Sequence, residues 1–112
     1  MTTPAPRALN VLTWTSAALM AISAWMVFFY APREVVMGNV QRVFYWHVAA
    51  GWVGGVAFAV TAIAGGIYLW KSDRRWDQLA VASVEIGLIF ALINIVTGSI
   101  WARPIWNTWW TW

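Results

Sequence analysis

Three long runs without charge decide what this chain can fold into. Between Arg7 and Arg33 lie 25 uncharged residues, between Arg42 and Lys71 lie 28, and between Glu85 and Arg103 lie 17. About 20 predominantly apolar residues are needed for a helix to cross a bilayer, and inside hydrocarbon a helix pairs all of its backbone groups within one segment. The runs therefore predict an all-α integral membrane protein with three transmembrane helices, at about 11–30, 43–70 and 79–101, followed by a Trp-rich interfacial segment over 102–112. The third run is long enough only if Glu85 sits inside the helix near its start, where a carboxylate can snorkel or pair with an arginine. With 62% hydrophobic and 10% charged residues in 112, little is left for a soluble domain, and the chain reads as one membrane domain.

Composition closes several other routes. The first uncharged run far exceeds a signal-peptide core of about 7–15 residues, so it reads as a retained helix. There is no cysteine, which removes disulfides and thiolate metal ligation, and there is one histidine. The formal charge of +3 does not argue for nucleic acid, because the basic residues fall in short segments between the spans. Arg7, Lys71, Arg74 and Arg75 share one side and Arg33, Arg42 and Arg103 the other; the cluster hard against the second span predicts an N-terminus in the cytoplasm and a tail outside it. No nucleophile–base pair, metal-ligand spacing or phosphate-binding glycine loop is present, so no enzymatic activity is expected.

Small residues recur along the second and third runs. Gly51, Gly54, Gly55, Gly65 and Gly66, including a Gly51-x-x-x-Gly55 spacing, and Gly87, Ala91, Asn94 and Gly98 are stripes of the kind that let helices approach closely. His47 lies about 6 Å along the second helix from Val43 at roughly 1.5 Å per residue, near the outer interface. A histidine there can simply occupy the headgroup layer. Its neighbourhood also suits a flat macrocycle. Ala50 and Gly51 leave room on its own face for Nε2 to be reached, and Arg42 at the rim suits an acidic group. The last twelve residues hold five of the 11 tryptophans. Trp anchors proteins at the headgroup level, yet Trp106, Trp109, Trp110 and Trp112 within seven residues exceed what an anchor needs and offer faces to a π-rich ligand such as a porphyrin. If the tail is helical, Trp106, Trp109 and Trp110 share one side.

Two segments carry a resemblance. Arg42-Val-Phe-Tyr-Trp-His-Val-Ala-Ala-Gly-Trp52 resembles the outer-face start of the second helix in the haem-handling proteins of cytochrome c maturation. Trp106-Asn-Thr-Trp-Trp-Thr-Trp112 resembles their tryptophan-rich WWD segment. The order, the shared face and coverage of essentially the whole chain are similar to the haem exporter protein C branch, the C component of the system I pathway. The resemblance implies that His47 is an axial ligand to haem iron and that Trp106, Trp109, Trp110 and Trp112 form the haem-presenting surface; a propionate is the kind of acidic group that Arg42 at the rim suits. It further implies b-type haem bound transiently, a haem chaperone and ABC-transporter subunits as partners beside the lipid bilayer, and a bacterial inner-membrane location. Asn107 stands where the family usually has Gly, and Ala49 where Pro is common. The chain ends before the motif's Asp and without the family's second outer-face histidine, so it is expected to be the N-terminal part of a truncated or split protein. Two other readings stay open: a small accessory subunit of a membrane complex with a Trp-rich anchor, and a haem b redox subunit, which would want histidines deeper on facing helices.

Overall fold

The structure, a computed structural model, describes residues 6–111. Its helices are α1 (Arg7–Trp25), α2 (Gln41–Lys71) and α3 (Arg74–Trp106). By length and composition all three are able to cross a membrane, and no strand forms among the described residues beyond an isolated bridge between Glu34 and Gly38. The all-α membrane architecture expected from the uncharged runs is the one observed. The chain divides into two compact units, one ending at Arg33 and one beginning at Glu34.

In the first unit, Pro6 supplies its carbonyl to the N–H groups of Leu9 and Asn10, at 2.9 and 3.2 Å. Proline has no N–H to leave unpaired at a helix start. After Trp25 the helix widens into a π-helical turn over Met26–Tyr30. There the Ala31 N–H reaches back five residues to the Met26 carbonyl at 2.7 Å. The wider turn brings the Trp25 and Tyr30 rings into a stack with centroids 6.3 Å apart. Pro32 then holds Ala31 in extended backbone and stops the helix.

The second unit is a helical hairpin. Its opening loop is tied by the Glu34 carboxylate, which accepts from the backbone N–H groups of Val36 and Met37. Ser72 closes α2 in the left-handed region, its N–H on the Tyr68 carbonyl at 2.7 Å, and the Asp73 side chain caps α3 by accepting from Arg75 N–H at 3.0 Å. That cap starts α3 at Arg74, five residues before the apolar pattern begins at Leu79, because Arg74 to Gln78, polar apart from Trp76, are helix-compatible. At its other end α3 continues past Trp101 to Trp106, carrying Pro104 in its last turn. At roughly 1.5 Å per residue α2 and α3 are about 45–50 Å long, so both exceed a hydrocarbon core of roughly 30 Å.

The two helices pack antiparallel along a seam of small residues. Ala50, Gly54, Ala57 and Ala64 of α2 and Ser83 and Gly87 of α3 are buried. Phe58 lies over Gly87 so closely that a Cβ there would stand 2.9 Å from its ring. Thr61 and Ser83 share a hydroxyl–hydroxyl hydrogen bond of 2.9 Å across the seam, in which one hydroxyl donates to the other while the accepting one donates to a carbonyl of its own helix. Without a hydrophobic drive between helices in lipid, such close contact and polar pairing carry the association. The seam uses Gly51 and Gly54, whereas Gly55, Gly65 and Gly66 meet nothing within 4 Å. The Gly51-x-x-x-Gly55 spacing is therefore not the packing motif: Gly55 lies off the face that meets α3.

Candidate functional site

His47 is the seventh residue of α2, and the antiparallel hairpin sets it beside the C-terminal third of α3. Its Nδ1 is 3.0 Å from the Asn94 carbonyl oxygen. In return the Asn94 side-chain amide donates to the His47 carbonyl at 2.7 Å. Two glycines make room for this exchange. A Cβ at Gly98 would stand 2.8 Å from His47 Cε1, and a Cβ at Gly51 would stand 2.8 Å from Asn94 Nδ2. The space at Gly51, which in the sequence looks like room beside the imidazole, is thus filled by Asn94; the imidazole lies instead in the notch of Gly98 on the facing helix.

Past this clasp lies an open cavity of about 310 Å³ whose floor is His47, Asn94 and Gly98 and whose walls include Trp101, Trp106, Trp109 and Trp110. Trp101 is braced by Phe44 of α2, centroids 5.6 Å apart, and meets Trp106 edge to face at 4.9 Å and 83°, a preferred aromatic geometry. Its indole N–H is buried and has no hydrogen-bond partner among the described residues, which leaves a donor in the aromatic cluster. Trp106, Trp109 and Trp110 are each more than half exposed.

The tryptophans meet for a reason other than helical spacing. Helix α3 stops at Trp106 because Asn107 takes a left-handed conformation, φ 57° and ψ 23°. Asn tolerates that region better than other residues with a Cβ, so Asn107 here adopts a conformation that suits Gly. The reversal turns Trp109 and Trp110 back over the cavity. Arg103 secures the fold-back: its Nη1 donates to Asn107 Oδ1 and its guanidinium lies 5.8 Å from the Trp109 ring centroid. The Thr108 hydroxyl adds a bond to the Trp110 carbonyl at 2.9 Å. Trp112 lies outside the described residues.

Arg42 is half-buried in the first turn of α2 and does not line this cavity. Five residues before His47 at 3.6 per turn, it points about 140° away around the helix. The cation that meets the tryptophans is Arg103. Sequence reasoning missed the parts played by Asn94, Gly98 and Arg103, which depend on the register between two helices and on the reversal at Asn107. The one signal available was an Asn inside an apolar span, where a side-chain amide needs a partner.

The whole chain, residues 1–112, matches the family model described as haem exporter protein C. Haem exporter protein C of Escherichia coli K12 is 36% identical over 117 aligned residues, covering 96% of this chain and 46% of that protein. Its counterpart from Bradyrhizobium diazoefficiens is 33% identical, covering 92% and 40%. A mitochondrial protein of Marchantia polymorpha, by its name ccmC-like and of cytochrome c biosynthesis, is 29% identical, covering 84% and 41%. The chain thus spans less than half the length of these relatives.

Proposed function

The chain belongs to the haem exporter protein C family, and on that premise we propose that its α2–α3 unit binds haem and presents it at the outer face of the membrane for c-type cytochrome biogenesis. The observation that carries this reading is the placement of the chain's one histidine at the floor of a cavity walled by Trp101, Trp106, Trp109 and Trp110. His47 supplies one axial nitrogen through Nε2. The indoles give flat, rigid faces for a porphyrin. At about 310 Å³ the cavity sits at the small end of ligand sites, roughly 300–1,000 Å³. It fits part of a macrocycle rather than enclosing one, as suits b-type haem held transiently and passed on.

The rest of the reading extends the same proposal. The N-terminus is cytoplasmic and the tryptophan end extracytoplasmic in a bacterial-type inner membrane, with Lys71, Arg74 and Arg75 on the retained side. Partners are the ABC-transporter subunits of cytochrome c maturation and a haem chaperone. The protein binds and hands over its cargo, with no turnover chemistry. Haem titration of the full chain in detergent tests the proposal. The account expects weak binding with a Soret shift that is lost in His47→Ala; identical spectra for the two proteins would return His47 to an interfacial role.

The exposure of Trp106, Trp109 and Trp110 also favours a second reading, in which the tail only anchors an accessory subunit at the headgroup layer. That reading predicts no dependence of haem binding on the indoles.

A further inference from the structure

We propose that Asn94 is a positioning residue: with Gly51 and Gly98 it locks the His47 imidazole in the Nδ1–H tautomer, leaving Nε2 bare toward the cavity. The contacts around Nδ1 decide the tautomer. The Asn94 carbonyl, 3.0 Å away, can only accept. The Thr97 hydroxyl, 3.4 Å away, donates to the Ile93 carbonyl at 2.6 Å, so it too turns an oxygen lone pair toward Nδ1. The rival is the Asn94 side-chain amide, 3.2 Å from Nδ1. That amide has two N–H groups: one donates to the His47 carbonyl at 2.7 Å, which fixes which end of the side chain is nitrogen, and its nitrogen stands farther from Nδ1 than the Asn94 carbonyl oxygen does, so two oxygens, one of them the nearest polar atom, outweigh one donor. A bare Nδ1 would hold its lone pair against a carbonyl lone pair within a membrane span, where unpaired polar contacts are costly. A protonated Nδ1 turns the same contact into a hydrogen bond.

The lock is reciprocal. The side chain of each partner bonds the other's backbone carbonyl, and each lies in a glycine notch of the opposite helix. The ring therefore can neither turn over nor slide without breaking the contact between the helices. Histidines that ligate metals commonly give their other N–H to a carbonyl or carboxylate, which sets ring orientation and makes the ligating nitrogen more basic. The consequence for haem rests on the reading of His47 as an axial ligand; the tautomer itself does not.

Because His47 is the only histidine, labelling the full chain with 15N-histidine gives one imidazole to observe. Long-range 15N–1H correlation spectra of the haem-free protein in detergent, at a pH where the ring is neutral, should show a protonated Nδ1 and an unprotonated Nε2. Asn94→Leu, which keeps bulk and removes the amide bond that holds the two helices in register, and Gly51→Ala, which displaces that amide, should each loosen the contact of Nδ1 with the backbone carbonyl of residue 94 and so raise the share of the Nε2–H form. A wild-type ring protonated at Nε2 overturns the proposal even if both variants misfold, and a folded Asn94→Leu with the wild-type pattern removes the role of Asn94. On ferrous haem-loaded protein, the Fe–His stretching frequency should fall in Asn94→Leu as the hydrogen bond to Nδ1 weakens. A wild-type chain with the expected tautomer but a haem spectrum indifferent to His47→Ala would refute the ligand reading and leave the clasp standing.

Discussion

Replacing Gly98 by alanine should separate the effect of the clasp from that of helix packing in general. The added Cβ would stand 2.8 Å from His47 Cε1 and 3.2 Å from Nδ1, against an ordinary contact of about 3.5–4.0 Å, so the ring has to move by roughly 1 Å. Overpacking of this kind costs about 1–3 kcal/mol, and the loss of the Nδ1 bond to the Asn94 carbonyl adds about 1 kcal/mol. Alanine returns about 1 kcal/mol of helix propensity, so overall stability falls by only about 1–3 kcal/mol. Ligation is hit as well as stability, because the displaced atoms belong to the ligand itself. Haem affinity should fall by roughly 5- to 150-fold, the equivalent of about 1–3 kcal/mol. Gly54→Ala is the control, since a Cβ there meets Phe90, Ala91 and Gly87 at 3.5 Å or more and gains propensity without displacing a neighbour. Soret titrations and denaturation of the two variants in detergent provide both readouts. Equal haem affinity in Gly98→Ala and wild type, or an equal loss in Gly54→Ala, would refute the reasoning.

Three further outcomes are expected. Changing Trp109 and Trp110 together to Leu keeps the tail apolar and should preserve membrane insertion while lowering haem content, measured by the pyridine haemochrome spectrum; full haem content would make the tryptophans anchors only. Asn107→Val places a β-branched residue in the left-handed region at a cost of about 1–3 kcal/mol, and the tail should leave the cavity, read as a red shift and stronger quenching of tryptophan fluorescence, whereas Asn107→Gly should leave the spectrum unchanged. A reporter fused at Ser72 should be active in the cytoplasm and one fused after Trp112 outside it; the reverse pattern would put the tryptophans on the wrong side for haem presentation.

The spans were legible because charge is excluded from hydrocarbon, so gaps between charged residues measure helices directly. Their ends were not, since Asp73 and Asn107 set them through capping and backbone conformation, and residues 74–78 are helical without being apolar. His47 and the tryptophans stood out by type and position. What joins them did not. Whether Gly51 or Gly55 faces α3, and whether Asn94 meets His47, depends on the rotation and register of one helix against another, which a single chain's periodicity leaves open. Helical phase alone turns Arg42 from the cavity, but nothing in the spacing of Arg103 announces that it will clasp Trp109 after the chain reverses.

The central claim is that His47 Nε2 bonds the iron, and the single histidine makes that measurable without mutation. Electron–nuclear double resonance of the ferric haem-loaded chain, with 15N in histidine only, should show a strongly coupled 15N nucleus beside the 14N signals of the porphyrin. Porphyrin 14N signals alone, with haem bound, would contradict it.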